Sequence, residues 1–322
     1  MKVTVRAPAR LHFGFIDLDG SLGRMFGSIG LAIDEPSVLL EAAPANRLLV
    51  EGDDGGRATA LARRFLGHYR IRDKVHISIK EMIPAHVGLG SGTQLALSIA
   101  EALSRLFSIE GGVRELAAVM GRGRRSGIGI TAFERGGFIV DAGRKVGATS
   151  HSLHPDLLPP AIVRHPFPKD WTFVVAIPHV IRGFAGDTED RAFHRLAARP
   201  AASSTARLSR IVLMQMLPAL LERDAAAFGR SLTNVQRIVG GWFRAVQGGT
   251  FASPLGTKVA RAMARAGAFG VGQSSWGPTV YGMAPDEMLA DRLEHAARKA
   301  LSGRGEATIF RARAHNRGAE IV

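Results

Sequence analysis

The stretch Ile83-Pro-Ala-His-Val-Gly-Leu-Gly-Ser-Gly-Thr93 limits what this chain can fold into more than any other. Before it, Val75 to Lys80 (VHISIK) alternates as a strand. After it, Leu95, Ile99, Leu103 and Leu106 recur on one side of a helix expected over Thr93–Phe107. Glycines at 88, 90 and 92 let the backbone come close to a ligand. The helix N-terminus beyond them offers unpaired N–H groups and a partial positive charge to an anion. Ser91 and Thr93 either add hydroxyls to such a site or cap the helix, and the bland alternative is a plain capped turn. No Gly-Lys-Ser/Thr occurs in the chain, so this is not a Walker A loop, and the G-x-G-x-x-G spacing of dinucleotide folds is also missing.

Two more glycine-rich stretches carry polar residues among apolar ones. Ala7-Pro-Ala-Arg-Leu-His-Phe-Gly14 continues through Asp17, Asp19 and Arg24 to Gly27-Ser28-Ile-Gly30, and strand spacing projects Arg10 and His12 to one face. The competing reading is a strand, a turn and a second strand whose glycines only permit bends. Late in the chain, Gly270-Val-Gly-Gln-Ser-Ser-Trp-Gly-Pro-Thr279 sits between two apolar runs. Two serines, a glutamine and a tryptophan there exceed what a hairpin needs, although a long loop with a half-buried Trp276 also fits. Asp53-Asp54 is read as a solvated turn.

The chain has 322 residues, 46% hydrophobic and 22% charged, an ordinary globular composition long enough for two domains. Short strands are expected over 2–8, 37–42 and 47–51, helices over Arg57–Tyr69 and Leu116–Arg125, and a strand over Gly137–Ala142. Five prolines over 151–170 suggest a connection there, dividing the chain into domains 1–160 and 161–322. The second half reads as a strand at 172–177, a helix-rich stretch at 189–240, a helix at 255–267, strand–loop–strand at 268–283, a helix at 286–300 and a strand at 306–313. Strands and helices mix without strict βαβ alternation, which argues an α+β fold.

The net charge is +14, carried by 35 Arg and only 7 Lys. Arginine suits bidentate contact with phosphate or carboxylate. With no basic run of five, no helix-turn-helix or zinc-finger spacing and few aromatics, small anionic molecules are expected as partners and nucleic acid is not. Cysteine is absent, which removes disulfides, thiolate metal sites and cysteine nucleophiles. No apolar run reaches the ~20 residues of a membrane span, and the N-terminus lacks a signal-peptide pattern, so a cytoplasmic protein is expected.

Taken in order, the three loops resemble the GHMP kinase superfamily. Its first motif is similar to Ala7-Pro-Ala-Arg10, its second (Pro-x-x-x-Gly-Leu-Gly-Ser) to Pro84–Ser91, and its third to the loop at 270–279. The resemblance implies a GHMP-kinase-like two-domain fold: an N-terminal domain with a left-handed β-α-β phosphate-binding unit and a C-terminal α+β domain closing over it. One branch, the β-ribofuranosylaminobenzene 5′-phosphate synthases of methanopterin biosynthesis, is more similar still. The similarity lies in Arg10-Leu-His-Phe-Gly14, Gly23-Arg24 with Gly27–Gly30, and Gly88–Gln94. It continues in Arg124–Gly129, Phe133–Asp141, Arg182–Gly186 with Glu189, and Gln273–Thr279. Sugar and mevalonate kinases carry an aspartate, their candidate base, where this chain has Gly129, and the usual Ser-Ser of the second motif is Ser91-Gly92. An ATP-dependent small-molecule kinase and a non-catalytic phosphate-binding paralogue are the rival readings.

That branch joins 4-aminobenzoate, or a close relative, to phosphoribosyl pyrophosphate with loss of CO2 and pyrophosphate, and implies Mg2+ and a homodimer. On this resemblance Gly88, Gly90, Ser91, Gly92 and Thr93 take phosphates, with Arg24 and Arg124 or Arg125 as further partners. Arg10, His12, Ser274 and Ser275 face the reacting centre or the carboxylate, and Trp276 lines the aromatic site. Ser28, Gln273 and Thr279 join the substrate-binding set, and Asp17, Asp19 and Glu134 are metal candidates. Ser91→Ala and Arg10→Ala are each expected to lower turnover by about 10²–10³-fold with folding intact. Steady-state rates beside thermal melts check this, and normal turnover in both variants would discard the assignment.

Overall fold

Alternating apolar residues from Val3 onward build β1 (Val3–Asp17) against β2 (Arg24–Pro44) as a long antiparallel pair. The structure, a computed structural model, describes residues 2–52, 56–72, 74–146, 157–179, 201–301 and 307–322. The strands expected at 2–8 and 37–42 are thus parts of strands 15 and 21 residues long. Alternation of burial stops at Leu11–Phe15, because elements cover both faces of β1 there.

Beyond β2, the short β3 (Leu49–Glu51) runs parallel to β4 (Val75–Glu81), and α1 (Arg57–His68) connects them as a β-α-β unit. The glycine loop then leads into α2 (Ser91–Leu106), which packs on β1 and β2. Next come α3 (Val113–Val119), α4 (Ile128–Arg135), β5 (Phe138–Asp141) and β6 (Arg144–Lys145). The expected helix Leu116–Arg125 is cut short at Val119: Gly121 and Gly123 take φ of +66° and +78°, which end it and allow α4 to start anew.

A strand β7 (Ala161–His165) pairs with β5, so residues just after 160 complete the first sheet. The second sheet is wholly antiparallel. It contains β8 (Thr172–Pro178), β9 (Gly270–Gln273), β10 (Val280–Ala284) and β11 (Ala307–Arg313), in the order β11-β8-β10-β9. Its helices are α5 (Ala202–Ile211), a π turn (Val212–Met216), α6 (Leu217–Leu221), α7 (Ala225–Gln247), α8 (Pro254–Arg265) and α9 (Glu287–Leu301). The chain ends in β12 (Glu320–Ile321), back on the edge of the first sheet beside β1. Residues 189–200 of the helix-rich stretch, together with Asp53-Asp54, Arg182–Gly186 and Glu189, lie outside the described residues.

Phe13 of β1 joins the two halves. Its ring lies 6.4 Å from Phe138 in the first sheet, and 6.0 Å from Phe173 and 5.5 Å from Tyr281 in the second. Burying several such rings removes a large apolar area from water at each contact. A second junction is polar and lies directly above the site. There the backbone of residues 87–88 meets the turn 274–277 so closely that no Cβ fits: one on Gly88 would run into Ser274 O, and one on Gly277 into Val87 O. Gly277→Ala is therefore expected to destabilise the fold by about 1–3 kcal/mol, the usual cost of overpacking. Gly241→Ala, exposed in α7 with nothing near its Cβ, is expected to gain about 0.5–1 kcal/mol. Denaturant titrations of both variants check the pair.

Candidate active site

Gly88 and Gly90 hold φ of +92° and +87°, a left-handed conformation that turns the chain from the end of the loop into α2. Thr93 N and Gln94 N both donate to Gly90 O, at 3.0 and 3.1 Å, and no side chain caps the helix. Ser91 is therefore the first helical residue, and the amides of Ser91 and Gly92 have no partner within the helix. The carbonyls of the loop face the other way, into the 273–279 turn. Val87 O accepts from Thr279 Oγ1 at 2.6 Å, and Gly88 O accepts from Ser274 Oγ at 2.7 Å and from the Arg10 guanidinium. Arg10 N donates to Leu89 O at 3.1 Å, and a Cβ on Gly90 would lie 3.1 Å from Arg10 Cγ. The arginine thus lies along the loop and braces it.

Two further arginines flank the helix start. A Cβ on Gly92 would sit 3.5 Å from Arg122 Nη1 and 3.8 Å from Arg57 Nη2. Arg57 Nη1 and Arg122 Nε are buried without a hydrogen-bond partner, and no described carboxylate pairs with either side chain. Burial first, then the charges of Arg57, Arg64 and Arg124, lower the Arg122 pKa from the usual arginine range, yet a guanidinium stays cationic. Clustered positive charge without a described acid, beside free helix amides, is an environment that favours an anion. Neither Arg57 nor Arg122 was among the residues expected from sequence. The signal was present in Gly121-Arg-Gly123, where glycines on both sides let one arginine fold back toward the loop.

Across the Ser274 bridge lies an aromatic cleft lined by His12, Phe15, Val239, Phe243, Gln247 and Trp276 among other described residues. Phe243 and Trp276 meet edge to face at 4.6 Å, and His12 meets Phe15 at 4.9 Å. Ser274 Oγ accepts from His12 N at 3.0 Å while donating to Gly88 O, and Ser275 N donates to His12 O at 3.1 Å. One hydroxyl therefore ties the cleft to the loop. Ser275, at φ +57°, is held by Gln273, whose Nε2 donates to Ser275 O at 2.9 Å and whose Oε1 accepts from Ala252 N at 2.6 Å. The imidazole of His12 is buried with both nitrogens lacking a partner. Desolvation, reinforced by Arg10, lowers its pKa to about 3, so the ring is neutral near pH 7 and carries one donor and one acceptor.

Arg10, His12, Gly88 to Thr93 and Gln273 to Thr279 thus converge as the sequence suggested. Of the rest of the expected set, Arg124 adds its charge beside Arg122, while the others make the following contacts. Arg24 donates to the carbonyls of Ala142 and Gly143 at 2.7 and 2.9 Å, fastening the turn after β5. Ser28 is buried across from Asp141 in the β2–β5 ladder. Asp141 accepts from the amides of Gly127 and Gly143, both at 2.8 Å, and burial pushes its carboxyl up to about 6 against those bonds. Arg124 and Arg125 lie in the α3–α4 connection, where Arg124 O accepts from Arg144. Asp17 Oδ1 accepts from Asp19 N and Gly20 N, Asp19 accepts from Ser21 N, and Glu134 faces Arg135 at 3.4 Å. Among the described residues no three His, Asp or Glu side chains gather as a metal cage, so Asp17, Asp19 and Glu134 do not form one. Gly129 packs on Thr93, and a Cβ there would lie 3.1 Å from its methyl group. No described helix is long and apolar enough to cross a membrane.

Comparison with known proteins agrees with this architecture. Residues 56–137 match the GHMP kinases N terminal domain and 216–303 the GHMP kinases C terminal domain. The β-ribofuranosylphenol 5′-phosphate synthase of Methanothermobacter thermautotrophicus is 36% identical over 89% of this chain and 90% of its own. The enzyme of the same name from Archaeoglobus fulgidus is 33% identical over 98% of both. Both names specify a phenol, where the motif resemblance specified an aminobenzene. Among solved structures, Methanococcus jannaschii mevalonate kinase superposes with a TM-score of 0.68 at 14% identity, covering 97% of this chain and 98% of that one. Homoserine kinase from Cytophaga hutchinsonii reaches 0.66 at 18%, covering 100% and 97%. Those two likenesses speak for the fold alone.

The buried imidazole sets a pH dependence. Because the folded pKa of His12 lies near 3 and the unfolded one near 6.5, the unfolded chain takes up the proton first on acidification. The stability this group contributes is complete above pH ~6.5 and is lost as pH falls toward 3. His12→Gln is expected to flatten that part of the decline in thermal midpoint, and an unchanged slope would show that the ring is not buried in its neutral form.

Proposed function

This chain belongs to the GHMP kinase superfamily, and from that premise we propose that it is a β-ribofuranosyl-arene 5′-phosphate synthase, joining a para-substituted benzoate to phosphoribosyl pyrophosphate with loss of CO2 and pyrophosphate. The observation that carries the proposal is the pairing, through Ser274, of an arginine-flanked phosphate loop with an aromatic cleft whose described lining carries no charged side chain. Sugar and mevalonate kinases pair the first of these with an aspartate, their candidate base, although some kinases of the superfamily lack it. Here Gly129 stands where sugar and mevalonate kinases carry their candidate base, in tight contact with Thr93.

The reaction asks for two things that these residues supply. The bond from ribose C1 to the pyrophosphate oxygen breaks, and the oxygen keeps the electron pair. Arg57, Arg122 and the first amides of α2 are aimed where that charge collects, and preorganised donors there stabilise the departing group. Meanwhile the ring carbon bearing the carboxylate must lie within about 3–3.5 Å of C1 to form the new C–C bond. The cleft orients a flat ring for this between Phe15, Phe243 and Trp276. The bond from ring to carboxylate then breaks, its electron pair restores aromaticity, and CO2 leaves. Because CO2 rather than a proton departs, no side-chain base is required at the ring.

The described residues do not fit a protein-built Mg2+ cage. Mg2+ would arrive on the pyrophosphate oxygens, as is usual for an ion that keeps its waters and binds substrate phosphates. The proposal extends to a cytoplasmic homodimer, as the family resemblance implies. Release of labelled CO2 from carboxyl-labelled 4-hydroxybenzoate or 4-aminobenzoate, dependent on phosphoribosyl pyrophosphate, is the expected result. ADP formed from ATP and an acceptor alcohol, with no CO2 release, would reverse the reading in favour of a kinase. Arg122→Ala is expected to lower kcat/KM for phosphoribosyl pyrophosphate by about 10²-fold and to leave arene binding intact.

A further inference from the structure

The cleft has two chemically different ends, set out along α7. Gln236, Val239, Gly240, Phe243 and Gln247 fall on one face of that helix at successive helical spacings, and all of them line the cleft. Gln236 marks one end: its Nε2 donates to Phe13 O and its Oε1 accepts from Gln273 N at 2.9 Å, beside His12 and the Ser274 bridge to the glycine loop. Gln247 lies eleven residues on, about 16 Å along the axis. The cleft therefore runs from the phosphate loop toward the C-terminal end of α7.

At that far end stands an unsatisfied acceptor. Gln247 Nε2 donates to Gly249 O at 3.0 Å and to Thr250 O at 2.8 Å, which settles which way the amide is turned. Its Oε1 is buried and has no hydrogen-bond partner. At the near end the two ring nitrogens of His12 are likewise buried without partners, and one of them carries a proton. Orphaned polar atoms in a buried site cost free energy until something pairs with them. Here they offer a donor at the loop end and an acceptor at the far end, and the described walls between them carry no charge.

We infer that Gln247 Oε1 reads the para substituent of the arene, selecting a neutral hydroxyl or amine that can donate a hydrogen bond, while the His12 N–H receives the carboxylate at the end facing ribose C1. This deepens the proposed synthase reading and rests on it. The orientation puts the carboxylate-bearing carbon toward the glycine loop, where C1 must lie, and the electron-releasing group against Gln247. As the ring bonds to C1, positive charge spreads to the para heteroatom, its O–H or N–H becomes a stronger donor, and the bond to Gln247 tightens at that stage. Gln247 thereby acts on turnover as well as on binding.

The test is equilibrium binding of 4-hydroxybenzoate and 4-fluorobenzoate to the full-length wild-type chain, Gln247→Met and Gln247→Glu, by calorimetry. Wild type is expected to favour 4-hydroxybenzoate by about tenfold or more, the worth of one buried hydrogen bond. Gln247→Met is expected to abolish that preference with 4-fluorobenzoate affinity unchanged, and Gln247→Glu, which keeps an acceptor, to retain it. If the methionine variant fails to fold, the wild-type preference and its retention in the glutamate variant decide. Equal wild-type affinities, or a preference that survives in Gln247→Met, would overturn the role of Gln247 while the synthase reading stood. Binding of neither benzoate, with or without phosphoribosyl pyrophosphate, would remove both.

Discussion

Two carbonyl groups, Val87 O and Gly88 O, hold the site together by accepting from Thr279 Oγ1 and Ser274 Oγ across the junction between the halves of the chain. These bonds lie among buried atoms, where hydrogen bonds are strong and the loss of one partner leaves the other exposed to its full desolvation cost. They also demand that backbone meet backbone, which is why Gly88 and Gly277 face each other with no room for a Cβ on either. Turning the carbonyls of the loop toward 274–279 leaves the first amides of α2 for the side occupied by Arg57 and Arg122. Ser274 then links that arrangement to His12.

Charge is divided sharply across this junction. On one side guanidinium groups crowd the helix start without a described acid among them. On the other, burial keeps His12 neutral and the remaining described polar lining consists of amides and hydroxyls. The arrangement suits a reaction that expels a polyanion on one side and passes a delocalised cation through a flat ring on the other. Gly129 packs on Thr93, and a Cβ there would lie 3.1 Å from its methyl group.

Much of this was legible in the linear order of residues. The run from Val75 through Gly92 into a helix of regular apolar spacing admits few structures other than strand, glycine loop and helix, because each part is a local preference of the backbone. Arg10 and His12 on one strand, and Ser274 to Trp276 in a late loop, stood out because polar residues interrupted apolar runs. The helix expected over Leu116–Arg125 failed at Gly121, where two glycines of positive φ outweighed helical spacing. Arg24 looked like a phosphate ligand by type; its Nε and Nη2 are held by the carbonyls of Ala142 and Gly143, a contact formed between residues more than a hundred positions apart.

What the sequence by itself determined was the set of local devices: the left-handed glycines, the helix start, the lack of any thiol and the glycine in place of an acidic base. Only the tertiary structure decided which of 35 arginines stand without a described acid beside the loop, that α7 forms the wall of an aromatic cleft, and that Gln247 keeps an acceptor unpaired within it. The reason is physical: backbone preferences are written over a few neighbouring residues, whereas the burial, pairing or orphaning of a polar side chain depends on whatever distant segment packs against it.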